Sequence, residues 1–390
     1  MIFKLAYKNI IGAGLRTWLN IFILSLSYFA IIALQGFFVG WQDDASREMK
    51  NWYIAGGQYW QESYDPYDPY TLEDSHGPVP EELQQLISEG EAISILISPA
   101  TIYPEGRMRN ITLKGISSDQ DLLEIPTKYL SNPGDEINCI IGSGFADNMN
   151  IKEGDFIVLR WRDKNGVYDA RDIKVAHIFY TTVLSVENNQ IWIALDALQE
   201  MLNLPGEATI IPVKDELYKM DFSGWQHKDL AFLLLDLTNL IKTKTIGSSV
   251  MYVLLLFLAV LAIFDTQILS IFHRRKEMGT LMALGMTRSK IIQLFTLEGV
   301  LHAVLAILMG AVYGIPLLNH FQKVGMQLGA NAKEWGLSGL DDALYPVYGW
   351  KLVLGTVILV LVTITIVSYL PTRKIAKLKP TDALRGKMTK

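Results

Sequence analysis

The chain has 390 residues, half of them hydrophobic, with one cysteine and a formal net charge of −5. A single cysteine excludes an intrachain disulfide, and nothing in the charge balance calls for a nucleic-acid partner. The apolar residues are bunched, so their distribution decides the class rather than their average.

In chain order, residues 1–17 form a short amphipathic, basic N-terminus ahead of the first apolar run, 18–40, which is apolar from Trp18 to Val39. Residues 41–245 follow as a long polar segment. Three more apolar runs occupy 246–271, 294–318 and 350–370, separated by 272–293 and 319–349, and 371–390 form a basic tail. Each run is about 20 residues or more, enough at 1.5 Å rise per residue to cross about 30 Å of hydrocarbon. Trp18, Trp41, Tyr252, Tyr348, Trp350 and Tyr369 sit near their ends, where aromatic residues suit a membrane interface. The first run is too long for a signal-peptide core and lacks a small-residue cleavage site, so it reads as an uncleaved anchor.

Charge sets the expected orientation. Segments 1–17, 272–293 and 371–390 carry 15 Lys or Arg against Glu277 and Asp382, a net of +13, which places them in the cytoplasm. Segment 41–245 carries 33 Asp or Glu against 17 Lys or Arg, a net of −16, and is expected outside. The fold class expected is therefore an α-helical membrane protein with four transmembrane helices and a large mixed α+β extracytoplasmic domain between the first and second.

That domain, which could divide into two lobes, is long enough to bury its own core. Strand-like alternation flanks Asn165-Gly166, a hairpin signal. Short helices are expected at "PEELQQLISEG" and at "LDALQEMLNLPG", and "YDPYDPYTLED" reads as an ordered surface loop. The sheet needs a covered face, so helices are expected on one side of it. Asn110-Ile111-Thr112 has the form of a glycosylation acceptor but reads as part of a strand, and Cys139 reads as a buried free thiol.

The chemistry expected is sparse. The chain has no G-x-x-x-x-G-K-[ST] and so no P-loop of its own, and the six histidines lack metal-ligand spacing. Ser143 in "IGSGFAD" misses the nucleophile-elbow pattern. Two acids fall in apolar runs: Asp265 in the second and Glu298 in the third. Each is a proton or ion site on one reading and a partner for Arg274, Arg275 or Arg288 on the other. Gly310 and Gly314 read as a helix contact. Between the second and third runs, Met278, Leu281, Met282 and Gly285 recur at helical spacing, with Gly285 as the stop and Thr287 as cap of the next helix. Such a helix either lies on the lipid surface, held by Arg274, Arg275 and Lys276, or docks in the groove of a soluble partner.

The run from Phe264 to Pro316 resembles the permease family that includes the macrolide exporter MacB, the lipoprotein-releasing subunits LolC and LolE, and the division protein FtsX. Asp265, Arg274, Glu277, Gly279, Ala283, Leu284, Gly285 and Glu298 match its pattern, as do Pro371, Arg373, Ala376, Pro380, Ala383, Leu384 and Arg385 in the tail. Asp265 stands where Asn is usual, and His273-Arg274 where Glu-Arg is usual. The segment from Gly142 to Pro205 resembles the family's external domain. The resemblance implies a non-catalytic permease subunit of an ABC transporter that works by mechanotransmission. ATP and Mg would be bound by a separate ATPase, contacted through Glu277, Met278, Leu281, Met282 and Gly285. No cofactor or metal is expected in this chain. A second permease copy or paralogue, membrane lipid and a periplasmic lipoprotein carrier are the other partners implied. In layout the chain looks most like LolC or LolE of the bacterial inner membrane, releasing lipoproteins. The alternatives are MacB-like efflux of antibiotics, peptides or other small molecules, and an FtsX-like non-transporting regulator of a cell-wall hydrolase.

Overall fold

A computed structural model describes residues 2–12, 14–131, 134, 136–214, 220–327 and 343–375. The described residues divide into two compact units, a helical unit within 1–41, 241–327 and 343–375 and a β-rich unit within 42–240.

The helices are α1 (Ile2–Gly12), α2 (Leu15–Met49), α3 (Glu81–Ser88), α4 (Ser143–Met149), α5 (Leu184–Glu187), α6 (Leu195–Leu202), α7 (Leu230–Leu233), α8 (Leu235–His273), α9 (Arg275–Ala283), α10 (Arg288–Val324) and α11 (Trp350–Ile375). The strands are β1 (Gly57–Gln61), β2 (Gly77–Pro78), β3 (Ile95–Ile102), β4 (Arg109–Ile116), β5 (Ile137–Gly142), β6 (Phe156–Arg162), β7 (Tyr168–Phe179), β8 (Gln190–Ala194), β9 (Glu207–Ala208), β10 (Ile210–Val213), β11 (Trp225–Lys228), β12 (Met326–Gln327) and β13 (Ala343–Leu344).

In the helical unit, α2, α8, α10 and α11 cover the four apolar runs and are long and apolar enough to cross a membrane. All four extend past those runs, because backbone hydrogen bonding continues through flanking polar residues. Ile21, Leu24 and Tyr28 of α2 bury against Ala303 and Ala306 of α10 and Val360 and Ile364 of α11. Small residues set the spacing. A Cβ at Gly310 would meet Ser25 at 3.5 Å, and one at Gly314 would meet Phe29 at 3.4 Å. Ser25 Oγ lies 3.1 Å from the Tyr313 hydroxyl at the same crossing. Gly36 and Gly40 of α2 make a second, closer seam: a Cβ there would fall 2.2 Å from the Tyr348 ring and 2.3 Å from the Tyr345 carbonyl oxygen. Val347 N–H donates to the Gly36 carbonyl at 3.0 Å across that seam. Without a hydrophobic driving force between helices in lipid, close approach over glycine is what holds such contacts.

In the β-rich unit, nine of the described strands form one sheet in the order β11-β1-β10-β3-β4-β8-β5-β7-β6. β6 pairs back on β3, Thr101 with Arg160 and Ile102 with Leu159, so β3, β4, β8, β5, β7 and β6 close on themselves. The sheet was expected to carry helices on one side, and α4 and α6 do pack there through Phe145 and Leu198; closure of the sheet on itself is an addition to that expectation. The ring's interior takes Ile111 and Leu113, Cys139 and Ile141, Leu159, Val175, and Ile191 and Ile193. The alternate residues Ile116, Ile140 and Trp192 face a second core with Trp60 and Ile95. Both faces are buried, which is why β5 and β8 read as unbroken apolar runs rather than alternating ones. α6 lies on β4 so closely that a Cβ at Gly115 would fall 2.9 Å from the Leu198 side chain.

The hairpin turns at Asp163–Val167. Gly166 has φ +83°, and Asp163 Oδ1 accepts the Asn165 and Val167 amides at 2.9 and 2.8 Å. In the loop before β2, Asp65 and Asp68 accept the amides of Tyr67 and Tyr70, two successive Asx turns that order it. Lys114 is the exception in the second core. It is 3% exposed, with Nζ 4.5 Å from the Tyr53 ring centroid and 4.9 Å from that of Trp192. Burial pushes its ammonium pKa down to about 7.

Candidate functional site

α8 stops because Arg274, at φ −98° and ψ 17°, leaves helical geometry, and α9 starts at the next residue. At its other end the chain forms a complete Schellman stop. Gly285, at φ +95°, donates to the Met282 carbonyl at 3.1 Å, and Met286 N–H donates to the Leu281 carbonyl at 2.9 Å. The left-handed conformation is what requires glycine there. Thr287 then stands at the N-cap of α10 in extended conformation, but its side chain makes no capping hydrogen bond, contrary to the expectation.

α9 is thus a nine-residue helix with two faces. Inward, Met282 and Met286 pack on the buried Ile291 and Phe295 of α10, and Gly279 is buried. Outward, Glu277, Thr280 and Leu284 are exposed, Leu284 by 80%. Leu281 is half-buried between the faces. The Met278 side chain lies outside the described ones. Of the expected contact residues, Met282 therefore serves the internal joint, while the outward ridge brings in Thr280 and Leu284 beside Glu277.

A polar junction lies at the foot of this helix. Glu298, 4% exposed, is reached by two donors on one oxygen: Asn9 Nδ2 of α1 at 2.6 Å and Arg274 Nη1 at 2.9 Å, both on Oε1. Arg274 Nε also donates to Glu277 Oε2 at 2.5 Å, and its guanidinium sits over the Phe295 ring at 5.2 Å from the centroid. One turn along α10, His302 Nδ1 lies 2.6 Å from the Glu298 carbonyl oxygen. The planar fork of arginine is what lets one side chain hold two carboxylates on different helices. A buried carboxylate would be costly alone, and here it is met by a cation and an amide. The junction joins three elements: α1 through Asn9, the start of α9 through Arg274 and Glu277, and α10 through Glu298.

The two acids of the apolar runs end up in different settings. Glu298 is buried in the junction, whereas Asp265 is exposed on α8. Asn9 was absent from the sequence expectation. Its signal is an uncharged amide on the inward side of a basic amphipathic helix, one residue before the buried Ile10. The tail residues Ala376, Pro380, Ala383, Leu384 and Arg385 lie outside the described residues.

Other chemistry-bearing residues have structural partners. Ser143 donates to Glu187 Oε1 at 3.1 Å, and the Gly144 amide reaches the same oxygen at 2.9 Å. The carboxylate of Glu187 thereby caps α4. Cys139 is fully buried in the ring interior, and burial pushes its thiol pKa up. Among the described residues no three His, Cys, Asp or Glu side chains stand together as a metal site.

Comparison with known proteins bears mainly on the helical part. Residues 249–380 match the family described as FtsX-like permease, C-terminal, a match that takes in most of α8, all of α9 and α10, and α11. Over 274 residues, 65% of this chain, the sequence is 25% identical to an uncharacterized ABC transporter permease of Methanocaldococcus jannaschii. The match spans 63% of that relative. The chain is membrane-embedded, and its last third, which holds α9 and Glu298, is similar to the C-terminal domain of FtsX-like permeases.

Proposed function

We propose that this chain is the permease subunit of an ABC transporter, with α9 as the helix that receives a separate ATPase. The observation that carries the reading is the bridging of Arg274 between Glu277, in the first turn of α9, and Glu298, inside α10. A push on the outward ridge at Glu277, Thr280 and Leu284 passes to α10 through an ion pair and the Met282–Phe295 contact, without bending a loop. Similarity of residues 249–380 to FtsX-like permeases and of the wider chain to an ABC transporter permease supports it. In this reading ATP and Mg are bound by the partner, and the chain itself is not catalytic. Its N-terminus, the α8–α10 connection and the tail face the cytoplasm of a bacterial inner membrane, with the β-rich unit outside, as the charge split favours. Two copies, identical or paralogous, work together, because a dimeric ATPase needs two receiving helices.

The cargo we propose is a lipoprotein, extracted from the inner membrane for a periplasmic carrier. Its support is the layout, one span, a large external unit and three further spans. The test is co-expression with a candidate P-loop ABC ATPase, followed by reconstitution in nanodiscs with a tri-acylated lipoprotein and a soluble carrier. ATP-dependent hand-over supports the cargo. ATP turnover raised by antibiotics or peptides and no hand-over would replace it by efflux, and capture of a cell-wall hydrolase with neither would replace it by a regulatory role. Failure of the ATPase to co-purify would sink the permease reading itself.

A further inference from the structure

The junction at Glu298 has a third arm whose other end faces away from the protein. α1 packs on α10 through Ala6 and Ile10, both buried, and Asn9 beside them reaches Glu298. Its opposite side is exposed and of two kinds. Phe3 and Tyr7 are 59% and 49% exposed, and Lys4 and Lys8 are exposed one position further on. Each pair is spaced i, i+4, so aromatic and basic side chains run as neighbouring stripes. No Asp or Glu occurs before Asp43. A short turn at Gly14, φ +77°, leads directly into α2, whose apolar stretch begins at Thr17 with Leu15 and Trp18 exposed. α1 is therefore held within a few residues of the membrane boundary.

We propose that α1 binds anionic phospholipid headgroups through Lys4 and Lys8, with Phe3 and Tyr7 entering the acyl boundary, and that this occupancy is passed to α9 through Asn9, Glu298 and Arg274. The chemistry fits one occupant. Aromatic side chains beside lysines on a helix at a membrane edge match a surface that is apolar below and negative above. A soluble acidic protein would satisfy the lysines but leave Phe3 and Tyr7 in water. The consequence is a permease whose receiving helix is positioned by the lipid around it as well as by its ATPase. This inference rests on the proposed role of α9 only for its meaning, since the link from α1 to α9 is tested without any ATPase.

The experiment uses the full chain carrying Leu284→Cys with a nitroxide label. Cys139 is 0% exposed and stays unlabelled. The chain is placed in nanodiscs of phosphatidylcholine alone or with phosphatidylglycerol. Expected are preferential retention of phosphatidylglycerol by native mass spectrometry and a shift of the label at 284 toward its slower component in the anionic discs. K4Q/K8Q loses both effects. N9L keeps the retained lipid and loses the shift, and N9Q restores part of it. An identical spectrum in the two lipids, or a shift that survives in N9L or in K4Q/K8Q, would overturn the proposal. Should N9L fail to insert, the exposed pair Lys4 and Lys8 carries the test alone.

Discussion

Arg274 Nη1 lies 2.9 Å from Glu298 Oε1 while Arg274 Nε lies 2.5 Å from Glu277 Oε2, so one guanidinium joins α9 to the interior of α10. Removing the cation leaves a buried carboxylate with an amide partner only. R274M should cost about 3–5 kcal/mol, the usual penalty for breaking a buried pair, toward the low end because Arg274 is 21% exposed. E298Q, which keeps a hydrogen-bonding side chain, should cost about 1 kcal/mol. A double-mutant cycle read by denaturant unfolding in detergent should give a coupling above about 0.5 kcal/mol. Additive effects of the two substitutions would mean that the pair is not a mechanical unit.

Leu284 is 80% exposed at the end of α9. Leu284→Asp should leave the melting temperature of the purified chain unchanged and abolish co-purification of the ATPase. Met282→Asp should do the reverse in order of cause, since Met282 packs on Ile291 and Phe295. It should lower stability by about 0.5–3 kcal/mol, because Met282 is only half-buried. Equal retention of the ATPase by wild type and Leu284→Asp would remove the outward ridge from the docking surface.

Gly36 and Gly40 admit the 345–348 segment at distances no side chain tolerates. Gly40→Val places carbon where the Tyr345 backbone carbonyl stands, and backbone cannot swing aside as a flexible side chain can. The expected cost is about 1–3 kcal/mol of overpacking. Gly247→Val, at an open position, is the control and should be near neutral. Thermal unfolding of both in the same detergent separates them.

Lys114 gives the β-rich unit a pH signature. Its folded pKa, about 7, lies below the unfolded value near 10.4, so between these pH values the unfolded chain binds more protons than the folded one. Stability therefore rises with pH across that window, by about 1.4 kcal/mol per unit for this one group, and is lost as pH falls through about 7. K114M should be more stable than wild type at pH 6–7, less what the Tyr53 and Trp192 rings return by cation–π attraction. The difference should shrink steadily toward pH 9. Parallel stability-versus-pH curves for the two chains would show that Lys114 titrates normally.

Several features are legible in the sequence, because local rules or composition produce them. The four apolar runs, the hairpin at Asn165-Gly166, the helical spacing from Met278 to Met282 and the stop at Gly285 depend on neighbours a few residues away. Gly285 needed only its left-handed backbone, and the turn only a residue free of Cβ. Glu298 stood out for a comparable reason: an acid in an apolar run must find a partner, and few candidates lie near the same membrane face.

Tertiary structure decided the rest. Periodicity shows that Met282 and Leu284 lie on different sides of α9, but which side meets α10 depends on Phe295 and Ile291, whose positions follow from how α10 packs. Closure of the β-rich sheet depends on Thr101 and Ile102 pairing with β6 almost sixty residues later. Asn9 and Glu298 are 289 residues apart, and no local pattern joins them. Composition and spacing set which segments are helices and which are strands, and marked Asp265 and Glu298 alike as acids in apolar runs. Only packing, which selects one face of each helix and one closure of the sheet, could make Arg274 the shared partner of two carboxylates and α1 the third arm of their junction.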